Sequence, residues 1–124
     1  MGYRSEVVFI VETEAEKELL EMAKDNQEMI DFLASMKNSA VEKWYAMYPD
    51  DKVVPQEGLY YANWVKWYPD DPQIAKLMIF FDALEHAGRE EEFGFIRLGE
   101  DDSDIEILGS PYDIGLGYSR HVTF

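Results

Sequence analysis

The sequence predicts an α+β fold: a mainly antiparallel sheet of about five strands with about three helices packed on one face. Three observations carry that reading. An unbroken β-branched and aromatic run, Val7 to Val11, stands near the start. Residues 13–48 and 72–87 then follow helical periodicity. Three short apolar segments, broken by Gly, Pro and acidic turns, crowd the final third. Strands gathered late in the chain suit an antiparallel sheet better than βαβ alternation. A chain of 124 residues is read as one domain, 1–124.

Val7 to Val11 has no polar alternation, so it is expected as a central strand buried on both faces. Thr13-Glu14-Ala15-Glu16 has capping-box form and opens a helix whose stripe is Leu19, Leu20 and Ala23. A second box, Asp25 to Glu28, starts another helix, with Met29, Phe32, Leu33, Met36, Ala40, Val41, Trp44, Tyr45 and Tyr48 at its period. Pro49-Asp50-Asp51 stops it, and 52–57 is a loop. Leu59 to Tyr68 reads as a strand. Asp71 at the N-cap and Pro72 at the first helical position open a third helix, with Ile74, Leu77, Met78, Phe81 and Leu84 inward and Gly88 as its stop. Phe93 to Leu98 and Ile105 to Leu108 form a hairpin across an acidic turn, and Tyr118 to Phe124 is the last strand. Trp44 to Asp51 is echoed by Trp64 to Asp71, which reflects the turn chemistry of Tyr-Pro-Asp-Asp rather than a repeat.

Charge sets the function classes. The net charge of -15 at pH 7 accompanies an aromatic content of 15%, so the acidity belongs to the surface of a folded domain. Such a surface repels nucleic acid and acidic membranes and attracts basic proteins. The acids are concentrated in two segments: 12–31, with Lys17 and Lys24 as its only bases, and 82–106, with Arg89 and Arg97. The candidate partner-binding rows are Glu14, Glu18, Glu21 and Asp25 on the first helix, and Glu90, Glu91, Glu92, Glu100, Asp101, Asp102 and Asp104 around the hairpin.

Catalytic chemistry finds little support. There is no cysteine, which excludes disulfides and thiolate chemistry and suits a cytoplasmic setting. The N-terminal residues carry no signal peptide or membrane span. The turn Glu100 to Glu106 offers oxygen ligands at alternate positions but fails the EF-hand pattern, with Ile107 where Gly is required. It is read as a solvated hairpin tip, and no metal or cofactor is expected. His86 and His121 have no partner at a catalytic spacing, no serine lies in a nucleophile elbow, and Gly115-Leu116-Gly117 precedes a strand rather than a helix. The chain is therefore read as a non-enzyme. The aromatics Tyr60, Tyr61, Trp64, Trp67 and Tyr68 have only Lys66 beside them, which argues against stacking on nucleic acid. On strict alternation Tyr61, Val65 and Trp67 share one face and Tyr60, Trp64 and Tyr68 the other. Tyr60, Trp64, Trp67 and Tyr68 are the candidate interface for a homodimer.

Met1 to Val7, Trp67-Tyr68-Pro69 and Phe93 to Glu100 with its acidic continuation together resemble small acidic proteins of tailed bacteriophages and prophages. The resemblance implies no catalytic residues. It implies an accessory protein of a bacterial host cytoplasm, a setting in which small acidic proteins inhibit DNA-binding factors. Two functions are carried forward: an acidic inhibitor that covers the basic nucleic-acid-binding surface of a host protein, as a DNA mimic, and a homo-oligomeric structural or regulatory domain associating through its aromatic sheet.

Overall fold

A computed structural model describes residues 2–50, 52, 54–118 and 121–124. Met1, Asp51 of the predicted helix stop, Val53, and Ser119 and Arg120 of the predicted last strand lie outside the described residues. The fold is α+β. In chain order the elements are β1 (Ser5–Val11), α1 (Thr13–Ala23), α2 (Gln27–Met47), β2 (Leu59–Val65), α3 (Pro72–His86), β3 (Phe93–Gly99), β4 (Ile105–Gly109), β5 (Gly117–Tyr118) and β6 (Val122–Thr123). Single 3₁₀ turns cover Glu90–Glu92 and Pro111–Ile114. Among the described residues the main sheet has four antiparallel strands in the order β2-β1-β3-β4, and β5 and β6 pair apart from it.

β1 is central and buried along its whole length, as its unbroken apolar run predicts. Val7, Phe9 and Val11 face a core closed by Ala15 and Leu19 of α1, Met29, Leu33 and Met36 of α2, and Ile74, Leu77, Phe81 and Leu84 of α3. Phe9 stacks on Tyr60 at 4.7 Å, and Phe81 stacks on Phe93 at 4.8 Å. Val8 and Ile10 face the other way, onto Ile96, Leu98, Leu59 and Tyr61, under a cover of Ala40, Leu116 and Val122. Helix α2 thus serves both cores, its first half on the helix face and Ala40 and Trp44 on the opposite one. It shields β2, whose outer edge would otherwise invite pairing.

Helix ends follow side-chain chemistry with two shifts. Asp71 caps α3, accepting from Gln73 N–H at 3.0 Å and Ile74 N–H at 3.4 Å, with Pro72 in the first turn. The second predicted box moves by one residue: Asn26, not Asp25, caps α2 by accepting the Met29 N–H at 3.1 Å. The box at Thr13 does not form. Glu12 is the N-cap and makes no side-chain bond, because Glu16 accepts the Tyr60 hydroxyl at 2.8 Å and pairs with Lys37 at 3.2 Å.

Two strand predictions are corrected. Leu59 to Tyr68 is not one regular strand. Ser5 pairs with Val65 but Val7 with Ala62, so Asn63 and Trp64 together oppose Glu6 in a bulge, with Trp64 at φ 58°. The extra residue reverses the alternation. Val65 and Trp67 therefore join Tyr60 and Ala62 on the helix side, and Trp64 turns to solvent. The predicted strand Tyr118 to Phe124 is instead divided, Gly117 pairing with Thr123 and Tyr118 with Val122.

Candidate functional site

Three loops meet the start of α1. The Val11 N–H donates to the Gly58 carbonyl at 3.0 Å and the Glu12 N–H to the Glu92 carbonyl at 2.9 Å. Gly58 holds φ 74°, and a Cβ there would collide with the Val11 carbonyl oxygen, so the approach requires glycine. With residues 113–115 these loops enclose an open groove of about 710 Å³. Its lining carries the carboxylates of Glu12, Glu14, Glu16, Glu57, Glu92 and Asp113, and among its described residues no lysine or arginine.

The six carboxylates differ in what they face. Glu16 is tied to Tyr60 and Lys37; burial first, and then that bond, raise the Tyr60 phenol above its ordinary value. Glu92 takes both arms of Arg89, at 2.7 and 2.8 Å, which holds its carboxyl below the usual range. Arg89 also reaches Glu18 at 2.7 Å, and the bonds to Glu92 and Glu18 keep its guanidinium firmly protonated. Glu14 pairs with Lys17 at 3.3 Å in an exposed contact of little strength. Glu12, Glu57 and Asp113 are exposed and make no ion pair among the described residues. The positive end of the α1 dipole stabilises the acids of its first turn, Glu14 and Glu16, but does not neutralise the loop acids facing them.

The predicted acidic residues are regrouped by the fold. Glu14, Glu18 and Glu21 share one face of α1, and Arg89 joins that face to Glu92. Glu21 is paired with Lys24. Asp25 is exposed beyond the helix and belongs to no row. Glu90 and Glu91 are exposed in the 3₁₀ turn beside the groove. The expectation that Glu90–Glu92 and residues 100–104 form one row around the hairpin is overturned. The seven residues of β3 stand between them, roughly 20 Å at ~3.3 Å per residue.

At that far end the acids build the turn itself. Glu100 accepts the Arg4 N–H at 2.8 Å. Asp101 accepts the Ser103 N–H at 2.9 Å and hydroxyl at 2.7 Å, bonds that lower its carboxyl. Asp104 pairs with Arg97 at 2.8 Å and accepts the Tyr3 hydroxyl at 2.8 Å. Asp102 is exposed at the tip. Among the described residues no three acids or histidines are arranged to hold a metal.

The aromatic interface is corrected as well. Tyr60 is 1% exposed and Trp67 7%, the latter against Phe32 and Phe95, so neither offers surface to a partner. Trp64 and Tyr68 remain exposed, at 64% and 36%. Sequence reasoning missed Glu12, Glu57 and Asp113 as groove residues, because only the folded loops bring positions so far apart in the chain together.

No protein-family profile, curated protein or solved structure matches this chain. No helix among the described residues is long and apolar enough to cross a membrane.

Proposed function

We propose that this chain is a non-enzymatic acidic binding protein whose groove at the start of α1 receives a cationic element of a partner. The carrying observation is six carboxylates around one concavity with no lysine or arginine in its described lining. A lysine or arginine side chain entering there gains charge-assisted bonds to Glu12, Glu57 and Asp113, which make no ion pair among the described residues. The partner class that fits is a basic nucleic-acid-acting protein, and the resemblance to acidic phage proteins supplies a host cytoplasm as the setting.

The helix row fits a duplex decoy less well. B-DNA carries one charge per ~1.7 Å of axis, about six in 10 Å, whereas α1 sets only Glu14, Glu18 and Glu21 over about 10 Å at ~1.5 Å per residue, with Lys17 and Lys24 beside them. The groove therefore favours capture of a cationic side chain or segment over imitation of a whole duplex. The test is a pull-down from bacterial lysate at ~0.1 and ~0.5 M salt, the Debye length falling from about 10 Å to under half that. A nucleic-acid-binding protein held at low salt, weakened at high salt, and lost with a Glu12→Lys, Glu57→Lys, Asp113→Lys variant is the expected result. Equal capture by that variant overturns the groove reading.

A further inference from the structure

Strand β4 is the outer strand of the main sheet, and its far side has no strand beside it among the described residues. Glu106 and Leu108 pair with Arg97 and Phe95 of β3. The Ser110 N–H reaches the Phe93 carbonyl at 2.9 Å and the Gly99 N–H the Asp104 carbonyl at 2.8 Å. Because antiparallel bonding alternates along the strand, the N–H and C=O groups of Ile105, Ile107 and Gly109 point away from β3. Glu85 of α3 takes the Gly109 N–H at 3.4 Å; those of Ile105 and Ile107 have no bond among the described residues. Both isoleucines are 39% exposed, and they sit on the sheet face opposite α1 and α3, beside Ile96 and Leu98. Ile105–Gly109 has no lysine, proline or bulge of the kind that protects an outer strand, and its one charged residue, Glu106, is paired with Arg97 of β3.

Charge indicates what the edge accepts. Exposed Glu100, Asp101 and Asp102 stand at its start and Glu85 at its end. The only cation on the neighbouring strand, Arg97, is held by Asp104 and Glu106. A second copy of this chain pairing antiparallel about Ile107 would bring the 100–102 acids of one molecule toward Glu85 of the other, between molecules of net charge -15. We propose that β4 is a docking strand for an extended segment of a cationic partner in which aliphatic residues alternate with lysine or arginine. Main-chain bonds to Ile105 and Ile107 hold the segment, its aliphatic residues cover their side chains, and its cations meet the flanking acids. The charge of the occupant rests on the reading of the protein as a binder of cationic partners; the strand pairing does not.

The experiment measures amide hydrogen exchange by NMR in the full chain with the peptide acetyl-Lys-Val-Lys-Val-Lys-Val-Lys-amide, at ~0.15 M salt. Exchange at Ile105 and Ile107 is expected to slow about tenfold or more. A peptide with proline for the central valine, and the matching Glu-Val peptide, are expected to give no protection. Ile107→Pro removes an outward N–H and leaves the β3 ladder bonds of Glu106 and Leu108 in place, so it is expected to lose the peptide while staying folded. Ile107→Lys, which opposes the peptide by charge, is a second variant expected to lose it. Unchanged exchange at Ile105 and Ile107, equal protection by the Glu-Val peptide, or undiminished binding to Ile107→Lys overturns the proposal. Protection that grows with protein concentration alone, with a doubled mass, also overturns it in favour of self-pairing. Peptide shifts confined to Glu12, Glu57 and Asp113 overturn the docking strand and leave the groove reading standing.

Discussion

The carboxylate of Glu6, 8% exposed, accepts the hydroxyl of Tyr61 at 2.5 Å. The same carboxylate accepts the Val122 N–H at 2.8 Å and lies 4.0 Å from Lys43 Nζ, so one buried charge ties β1, β2 and the C-terminal segment together. Burial, and then the bond to Glu6, hold the Tyr61 phenol well above its ordinary value. Glu6→Ala leaves a buried hydroxyl and a buried N–H unsatisfied and is expected to cost about 3 kcal/mol, with Tyr61→Phe at about 1.5. In urea unfolding the double variant should lose less than the sum of the two. Additive losses would show that the two groups do not act as a unit.

Asp104 carries a pH dependence of definite sign. Its bond to Arg97, with that from Tyr3, holds its carboxyl below the ordinary 3.8. A carboxyl lowered by folding contributes stability that is complete above the unfolded value and disappears as pH falls through the folded one. Wild type is therefore expected to exceed Asp104→Asn in stability at pH 7 and to lose that margin as pH falls below 3.8 and through the lower folded value. The check is a pair of urea titrations across that range, and a difference independent of pH contradicts the assignment.

Elements whose information is local were legible in the sequence. The unbroken run of β1 forced a central strand, and Asp71-Pro72 announced α3 because a cap and a first-turn proline act within four residues. The cap at Thr13 was misread because its competitor, Tyr60, is distant in the chain and claims the Glu16 carboxylate. The facing of Trp64 and Trp67 was misread because a bulge is a property of the pair of strands, set here against Glu6, and leaves no mark on the alternation of β2 alone. Of the groove, the acids Glu14 and Glu92 were visible as candidates. Glu57 and Asp113 were not, since each stands in a loop with no periodicity to follow.

Trp64 and Trp67 should respond oppositely to substitution. Trp67→Ala empties a site between Phe32 and Phe95 and is expected to cost about 3 to 5 kcal/mol. Trp64 is exposed and holds a positive φ that costs a bulky residue about 1 kcal/mol. Trp64→Asn, which tolerates that conformation, should leave stability within about 0.5 kcal/mol or raise it. Thermal unfolding decides this, and a large loss at Trp64 would mean that its ring is buried in solution against a partner surface.

The groove should hold a reserve of unfavourable charge that binding relieves. Glu14 and Glu16 face it from the first turn of α1, where the helix dipole favours them, whereas Glu57 and Asp113 come from loops and make no ion pair among the described residues. Neutralising the loop pair as Glu57→Gln, Asp113→Asn removes repulsion and no described ion pair. Stability at low salt is expected to rise by about 0.5 to 1 kcal/mol, and added salt should stabilise wild type more than the variant. The same variant should retain less of a cationic partner in the pull-down, since the acids that destabilise the empty groove are those a lysine or arginine would neutralise. A variant that gains no stability at low salt, or that keeps its partner, would mean that these carboxylates neither repel one another nor bind. They would then be a solvated rim.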